Sequence, residues 1–391
     1  MTEMRAPERL RVGFVLHVMQ VAGAEMLVAE TIRRLGPAID PVVLCLDGVG
    51  QLGERMLGEG VPVVSLGRRP GFDFGLVRRM AREIQARQLE LIHAHQYTPF
   101  FYTALARPFV RQRVHVLFTE HGRHYPDIVS WRRRLTNRLV LSRFADEVHG
   151  VCQFSADSLA RVDGFTGPIS VIRNGIDLSR YPATSRMEAR QRLGLPADRI
   201  FVTCVARFHP VKDHAMLLRA FARAASDLPK AELLLAGDGP QRGALTGQAA
   251  DLGIAERVRF LGVRDDVPDV LRASDIFALT SVSEAASLTL LEAMACRLPV
   301  VVTAVGGNPE IVEHERNGFL VPRGDDRAAA EAIRYLLQHR ERAAAMGEAA
   351  HSHVSANYRL EDTIDAYYRR YEAAAAVLRG RTPGAVSPAH T

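Results

Sequence analysis

Along the first 175 residues, short apolar and β-branched runs alternate with longer stretches whose apolar side chains recur at helical spacing. Arg11–Val18, Pro41–Leu46, Leu91–Ala94, Val114–Thr119, Glu147–Cys152 and Ile169–Ile172 read as strands, and Glu25–Leu35, Leu76–Gln88 and Trp131–Phe144 as helices. Uninterrupted apolar runs suit strands buried on both faces, so the pattern predicts a parallel sheet covered by helices on each side. After the turn-rich stretch Asn174–Asp198 the pattern restarts. Ile200–Ala206, Ala231–Ala236, Val258–Leu261, Ile276–Thr280 and Pro299–Thr303 read as strands, with helices at His214–Ala225, Pro240–Gly253, Leu288–Ala295 and Ala328–Leu337. The expected architecture is α/β: two domains, residues 1–185 and 186–358, each a parallel sheet covered by helices, with a cleft between them. Arg359–Leu378, rich in tyrosine and alanine, reads as a last helix packing back on the first domain, and residues 379–391 as a flexible tail.

A length of 391 residues agrees with two domains. Hydrophobic residues make up 47% and charged residues 24%, which argues against disorder, collagen and coiled coil. Cys45, Cys152, Cys204 and Cys296 are spread singly, as buried thiols in a reducing compartment would be, with neither a zinc cluster nor a disulfide framework. The first apolar run is too short, and too soon followed by Gln20 and Glu25, to be a signal peptide or a spanning helix, so a cytoplasmic location is expected. The net charge of +6 is uneven: residues 1–180 hold 24 Lys and Arg against 18 Asp and Glu, and the remainder holds 26 against 26. A basic first half suits an anionic neighbour.

Candidate chemistry gathers where strands end. The first strand runs into a small-residue turn at Gly23-Ala24-Glu25, which opens a helix whose amides suit a diphosphate; it is not the G-x-G-x-x-G fingerprint, and an ordinary tight turn fits it equally. The first strand of the second half leads to Arg207, at its carboxyl end, and Lys212, just before the next helix, two cations matched to two phosphates. Gly237, in Ala236-Gly237-Asp238-Gly239-Pro240, offers a close backbone approach. The sharpest segment is Ser283 to Ala295. Glu284 lies in a loop, suited to sugar hydroxyls; amides near Ser287, Leu288 and Thr289 suit a phosphate; Glu292 sits in a mostly apolar helix, where a ribose diol is the kind of partner an isolated carboxylate needs. The loop Thr303–Glu310 follows another strand and borders the same crevice, its glycines allowing close packing. Three histidines also fall near strand ends. His93 and His95 read as core histidines, and His121 as a donor to a sugar hydroxyl; no acid or cysteine stands at metal-ligand spacing, so no metal is expected.

As a set, these residues make the chain resemble the retaining GT-B glycosyltransferases of family GT4 (glycosyl transferases group 1). The resemblance covers about residues 10–375 and rests on Gly23-Ala24-Glu25, Asn174-Gly175-Ile176-Asp177, Arg207 with Lys212, Gly237-Asp238-Gly239-Pro240, and Glu284 through Glu292 into Ala293-Met294-Ala295-Cys296. It implies a GT-B fold of two Rossmann-like domains with parallel sheets facing an interdomain cleft, a UDP- or GDP-sugar as donor substrate, no tightly bound cofactor, and a donor held mainly by the second domain with the acceptor mainly on the first. Arg207 and Lys212 would bind the diphosphate, Glu292 the ribose, Glu284 the donor sugar, and His121 would touch that sugar. It implies metal-independent catalysis by front-face attack. Ala22 stands where many relatives have glycine, and Ala285-Ala286-Ser287 replaces a commoner glycine-rich segment.

The expected reaction transfers a sugar to a saccharide or lipid-linked saccharide acceptor in envelope or extracellular polysaccharide synthesis. A sugar-nucleotide epimerase, a glycan phosphorylase and a non-catalytic scaffold of similar architecture are the alternatives. From Arg123 to Arg143 there are six arginines against one acid, Asp127, with Trp131, Leu135, Leu139, Val140 and Leu141 between them. Such a helix suits peripheral contact with an anionic membrane, and equally a solvated face packed on its own sheet. No recognition motif accompanies the patch, so no nucleic-acid partner is expected.

Overall fold

The computed structural model describes residues 9–122, 130–182 and 185–380. Residues 1–8, Arg123 and Asp127 of the basic stretch, and positions 381–391 of the expected tail lie outside the described residues. Two compact units result: residues 9–122, 130–172 and 363–380 make the first, and 173–182 with 185–362 the second.

The division falls at 172/173, ahead of the expected 185, because the segment after Arg173 is tied to the far end of the second unit. Ile176 N donates to Tyr358 O at 2.9 Å, and Leu360 N donates to Ile176 O at 3.0 Å. A Cβ on Gly175 would lie 2.1 Å from the Arg359 carbonyl oxygen. The Asn174-Gly175 pair therefore leads into a β-bridge between Ile176 and Arg359, and the close approach at Gly175 is one that only glycine allows.

In the first unit, seven parallel strands, β1 (Leu10–Val18), β2 (Ile39–Gly48), β3 (Val63–Ser65), β4 (Leu91–His95), β5 (His115–Glu120), β6 (Glu147–Gly150) and β7 (Ile169–Val171), are ordered 3-2-1-4-5-6-7. Strand β1 pairs with β2 from Leu10↔Ile39 and with β4 from Val12↔Leu91. Under the sheet, Phe100 stacks on Phe118 with ring centroids 4.4 Å apart, and Phe165 closes the cluster. Tyr367 and Tyr371, on the terminal helix Leu360–Leu378, are fully buried. His93 shares one hydrogen bond with Tyr371 Oη (2.7 Å) and another with Thr119 Oγ1 (2.8 Å), which makes it a satisfied core histidine.

The second unit repeats the plan with β8 (Ile200–Val205), β9 (Ala231–Ala236), β10 (Val258–Gly262), β11 (Ile276–Leu279), β12 (Val300–Thr303) and β13 (Gly318–Val321), ordered 10-9-8-11-12-13 and parallel throughout. In each sheet the strand order reverses once, between β1 and β4 and between β8 and β11. The connections leaving those neighbours diverge, so each sheet has a crevice at its carboxyl edge.

Strands β3 and β13 are absent from the sequence reading, and each has a physical reason. The first has only three residues. The second begins with Gly318, a poor strand former; here a Cβ would lie 2.4 Å from Val300 Cγ2, so glycine is what lets β13 reach β12. The helix Tyr97–Ala106 is apolar around its whole circumference, with Pro99 in its first turn, and Arg340–Asn357 builds its inner face largely from alanine and Gly347; neither shows a strong period. The helix expected over Trp131–Phe144 ends at Leu139, where Val140 leaves helical geometry, and a 3-10 turn, Leu141–Phe144, follows.

Candidate active site

At the carboxyl edge of the second sheet the chain leaves β8 through Arg207 and the short turn Pro210–Lys212. Asp213 adopts the left-handed conformation (φ 44°), and its carboxylate caps the helix His214–Ala224 by accepting from Met216 N at 3.1 Å. This turn brings Lys212 Nζ to Glu284 Oε1, in the loop after β11, at 2.5 Å. Ser281 Oγ donates to the same oxygen at 2.6 Å. Oε2 accepts no hydrogen bond from the described chain and remains available to donors from outside. Arg207 is exposed and forms no ion pair among the described residues.

Three loops lock together around that pair. Val282 N donates to Val211 O at 2.8 Å, and Thr280 Oγ1 to Asp213 O at 2.9 Å, fastening the loop after β11 to the loop after β8. From the other side Gly307 N donates to Glu284 O at 3.3 Å. Gly306 has φ 56°, and a Cβ there would fall 1.5 Å from the Glu284 carbonyl oxygen. The Arg207 segment is backed by Gly237, whose φ of 135° and would-be Cβ contact of 2.1 Å with Ala206 O both require glycine.

Beyond Glu284 the helix Leu288–Ala295 begins. Ser287 caps it, its Oγ accepting from Leu290 N at 3.3 Å and lying 3.2 Å from Thr289 Oγ1. The amides of Leu288 and Thr289 find no acceptor among the described residues, so the positive end of this helix is open to an anion beside Lys212 and Glu284. One turn further, Glu292 is pushed up to about 7 by burial, a rise opposed by its hydrogen bond with Tyr181 and by Arg180. Tyr181, buried itself, is raised by desolvation first and by Glu292 second. The isolated carboxylate thus has an internal partner that sequence reasoning missed: Tyr181 lies more than a hundred residues away in a stretch without periodic pattern. Ser281 was closer to legible, since Ser-x-x-Glu is a familiar short-range pairing.

A pH dependence follows from Glu292. In the folded chain the carboxyl holds its proton to about pH 7, and in the unfolded chain it loses it near 4.5. The folded state therefore binds more protons between these values, and its advantage is present below pH 4.5 and lost as pH rises through 7. Wild type should lose up to about 3 kcal/mol relative to Glu292→Gln across that window, on the basis of 1.36 kcal/mol per unit. Urea melts at pH 5 and pH 8 for both proteins measure it; equal slopes for the two would refute it.

In the first unit, Gly23 opens the helix Gly23–Leu35 behind an extended Ala22 (φ −145°) that provides no side-chain cap. The amides of Gly23 and Ala24 find no acceptor among the described residues. The turn beneath is held by Leu52 N and Gly53 N, which donate to Met19 O at 2.9 and 3.2 Å. His121, expected to donate to a sugar hydroxyl, is one of a pair: its Nε2 lies 2.9 Å from His95 Nδ1. Burial lowers His121 to about 4 and holds His95 well below the usual imidazole range, so both rings are neutral and one N–H lies between them. His121 Nδ1 and His95 Nε2 are the atoms left without partners. The ring that supplies the shared proton decides whether His121 presents a donor or an acceptor. Among the described residues no group of three or more His, Cys, Asp or Glu is arranged to hold a metal ion.

The chain has extensive relatives. The family described as "Glycosyl transferases group 1" matches residues 185–353, and that described as "Glycosyltransferase Family 4" matches residues 21–180. An N-acetyl-alpha-D-glucosaminyl L-malate synthase from Bacillus anthracis is 31% identical over 307 residues, 77% of this chain and 79% of that protein. A D-inositol 3-phosphate glycosyltransferase from Mycolicibacterium smegmatis is 37% identical over 223 residues, 55% of this chain; the chain spans about half (50%) of that relative's length. Among solved structures, Anabaena HepE in complex with UDP-glucose is similar with a TM-score of 0.82 and 25% identity, covering 95% of this chain and 100% of that one. With two Rossmann-like sheets, a loop-and-helix site at the carboxyl edge of the second and these relatives, the chain belongs to the glycosyltransferases of the GT-B fold, related to the GT4-like sugar-nucleotide enzymes.

Proposed function

We propose that the protein is a retaining, metal-independent member of family GT4 that transfers a sugar from a UDP- or GDP-sugar to a saccharide or lipid-linked saccharide acceptor, in the synthesis of envelope or extracellular polysaccharide. The observation that carries this reading is the 2.5 Å pair of Lys212 and Glu284 beside the open amino end of the helix Leu288–Ala295. A cation and free amides at one spot suit a diphosphate, and the adjoining carboxylate, with Oε2 free, suits sugar hydroxyls. HepE bound to UDP-glucose makes uridine the favoured nucleotide.

In this reading Glu292, assisted by Tyr181, accepts from the ribose hydroxyls, and Glu284 orients the sugar. Lys212, Arg207 and the amides of Leu288 and Thr289 take up the charge that develops as the anomeric carbon–oxygen bond to the diphosphate breaks. The acceptor hydroxyl attacks from the same face. Its proton passes to the departing phosphate oxygen, the bonding electron pair leaves with the diphosphate, and the anomeric configuration is kept without a protein nucleophile.

The acceptor is proposed to lie at the cytoplasmic face of a membrane. On the helix Trp131–Leu139, Trp131 is 70% exposed, and Leu135 and Leu139 are also exposed, beside Arg132, Arg134 and Arg138. Apolar and basic side chains on one short helix suit an anionic lipid surface. No helix among the described residues is long and apolar enough to cross a membrane.

Calorimetric titration with UDP-, GDP- and ADP-sugars tests the donor class. The expected result is one nucleotide sugar bound by wild type and lost in Glu292→Ala, with retention at the anomeric carbon of the product read by proton NMR. Acceptor presented in anionic vesicles should be used better than soluble acceptor, and Trp131→Ala should remove the preference. Turnover of a donor without acceptor would favour the epimerase, dependence on inorganic phosphate the phosphorylase, and no binding by the folded protein the scaffold.

A further inference from the structure

At the opposite edge of the second sheet, where β8, β11 and β12 begin, the second unit has a concavity of about 480 Å3. This is within the size range of small-molecule sites, about 300–1,000 Å3. Its walls carry five arginines, Arg186, Arg190, Arg199, Arg297 and Arg340, against two acids, Asp198 and Asp275. The acids do not balance them. Asp275 alone accepts from Arg186 (2.8 Å), Arg190 (2.7 Å) and the Phe201 amide (2.7 Å), with Arg340 at 3.5 Å. Asp198 is engaged by Lys230 at 3.3 Å. From outside the walls Glu232 reaches Arg199 at 3.4 Å and Glu348 reaches Arg297 at 2.9 Å. Glu232 is itself held by Arg259 at 2.6 Å, so with those partners included there are seven cations and four carboxylates, and positive charge stays in excess around one hollow.

Two features of the backbone also point to a built site. Arg297 ends the helix Leu288–Ala295 in a Schellman arrangement, Leu298 N donating to Ala293 O and Arg297 N to Met294 O, and it holds φ 59° where glycine or asparagine is usual. The helix Arg340–Asn357 starts at the same hollow without a side-chain cap and lines it with Ala343 and Ala344. It packs onto Arg297 so closely that a Cβ on Gly347 would lie 2.1 Å from the Arg297 carbonyl oxygen.

We propose that this arginine-lined concavity is a second anion site, which binds a soluble phosphate monoester. The excess of positive charge suits a phosphate dianion, guanidinium forks match its oxygens, and the volume leaves room for the esterified body of a sugar or polyol. The site goes beyond the donor site and does not depend on it: it shares none of Arg207, Lys212, Glu284 or Glu292.

Isothermal titration of the full chain with glucose 6-phosphate, and with glucose as the uncharged control, tests it. Lys212→Ala separates the two sites, since it weakens phosphate binding at the carboxyl edge only. Glucose 6-phosphate should bind wild type and Lys212→Ala alike, and Arg186→Ala/Arg340→Ala at least about tenfold more weakly. Should that double variant unfold, Arg297→Asn removes a cation with a residue that tolerates the left-handed backbone, and the same weakening is expected. Binding abolished by Lys212→Ala but kept in the arginine variants would overturn the proposal, as would glucose binding equally well or no binding to wild type.

Discussion

Replacing Lys212 with alanine is expected to lower kcat/KM for sugar transfer by about 10²–10³-fold, the range seen when one preorganised group facing developing charge is removed. The loss has two sources that can be separated. The departing diphosphate forfeits a cation, and Glu284, whose side chain is only 9% exposed, keeps Ser281 as its one charge-stabilising partner. Breaking an ion pair of this kind leaves a carboxylate with too little compensation, at about 3–5 kcal/mol when burial is complete and less here, because the Lys212 side chain is 20% exposed. Thermal melts should therefore show Lys212→Ala destabilised, and Lys212→Ala/Glu284→Gln less destabilised than the sum of the single changes. Initial rates should stay low in the double variant, because removing the stranded charge restores stability and not the missing cation. Full activity in Lys212→Ala would exclude the assigned role.

Gly306→Ala should be nearly as severe, although it touches no candidate chemical group. The left-handed backbone at φ 56° penalises any Cβ, by about 1–2 kcal/mol. The methyl would also lie 1.5 Å from the Glu284 carbonyl oxygen, a separation that no side-chain rotation relieves. Either the loop after β12 retreats, releasing the hydrogen bond from Gly307 N, or the peptide of Glu284 is displaced. We expect about 2–4 kcal/mol of lost stability and loss of donor binding by titration. Gly243→Ala is the control. It lies in the helix Arg242–Asp251 with nothing within 4 Å of a new Cβ, and should be neutral or stabilising by about 0.5–1 kcal/mol. If both variants behave alike, close approach at Gly306 is not what holds the site.

Most of the two-sheet plan was legible because buried parallel strands are written as unbroken apolar runs, such as Leu233–Ala236 and Ile276–Leu279. What escaped was written in other terms. Gly318 is a strand residue selected for closeness to Val300, and closeness leaves no period. Tyr97–Ala106 is buried too evenly to show a face. At the site, Glu284 and Lys212 stood out as charges at strand ends. Tyr181 did not, because its pairing with Glu292 exists only after the fold has joined distant segments. The pairing of His121 with His95 was hidden for a related reason. Each histidine was visible, but the adjacency of β4 and β5 is a fact of topology rather than of spacing.

The last helix gives the order of synthesis a physical meaning. His93 and Tyr371, 278 residues apart in the chain, share a buried hydrogen bond in the first unit. When the ribosome has produced β1 to β7, that unit still lacks Tyr367 and Tyr371, and the side of its sheet they cover is open to water. The second unit needs only the first residues of that helix, Leu360–Asp362, to be complete. The nascent chain thus completes its later-made half first and closes its earlier-made half last, against the usual amino-to-carboxyl order of domain completion. Loss of the final twenty-odd residues would consequently be felt not at the end of the molecule but beneath its first strands.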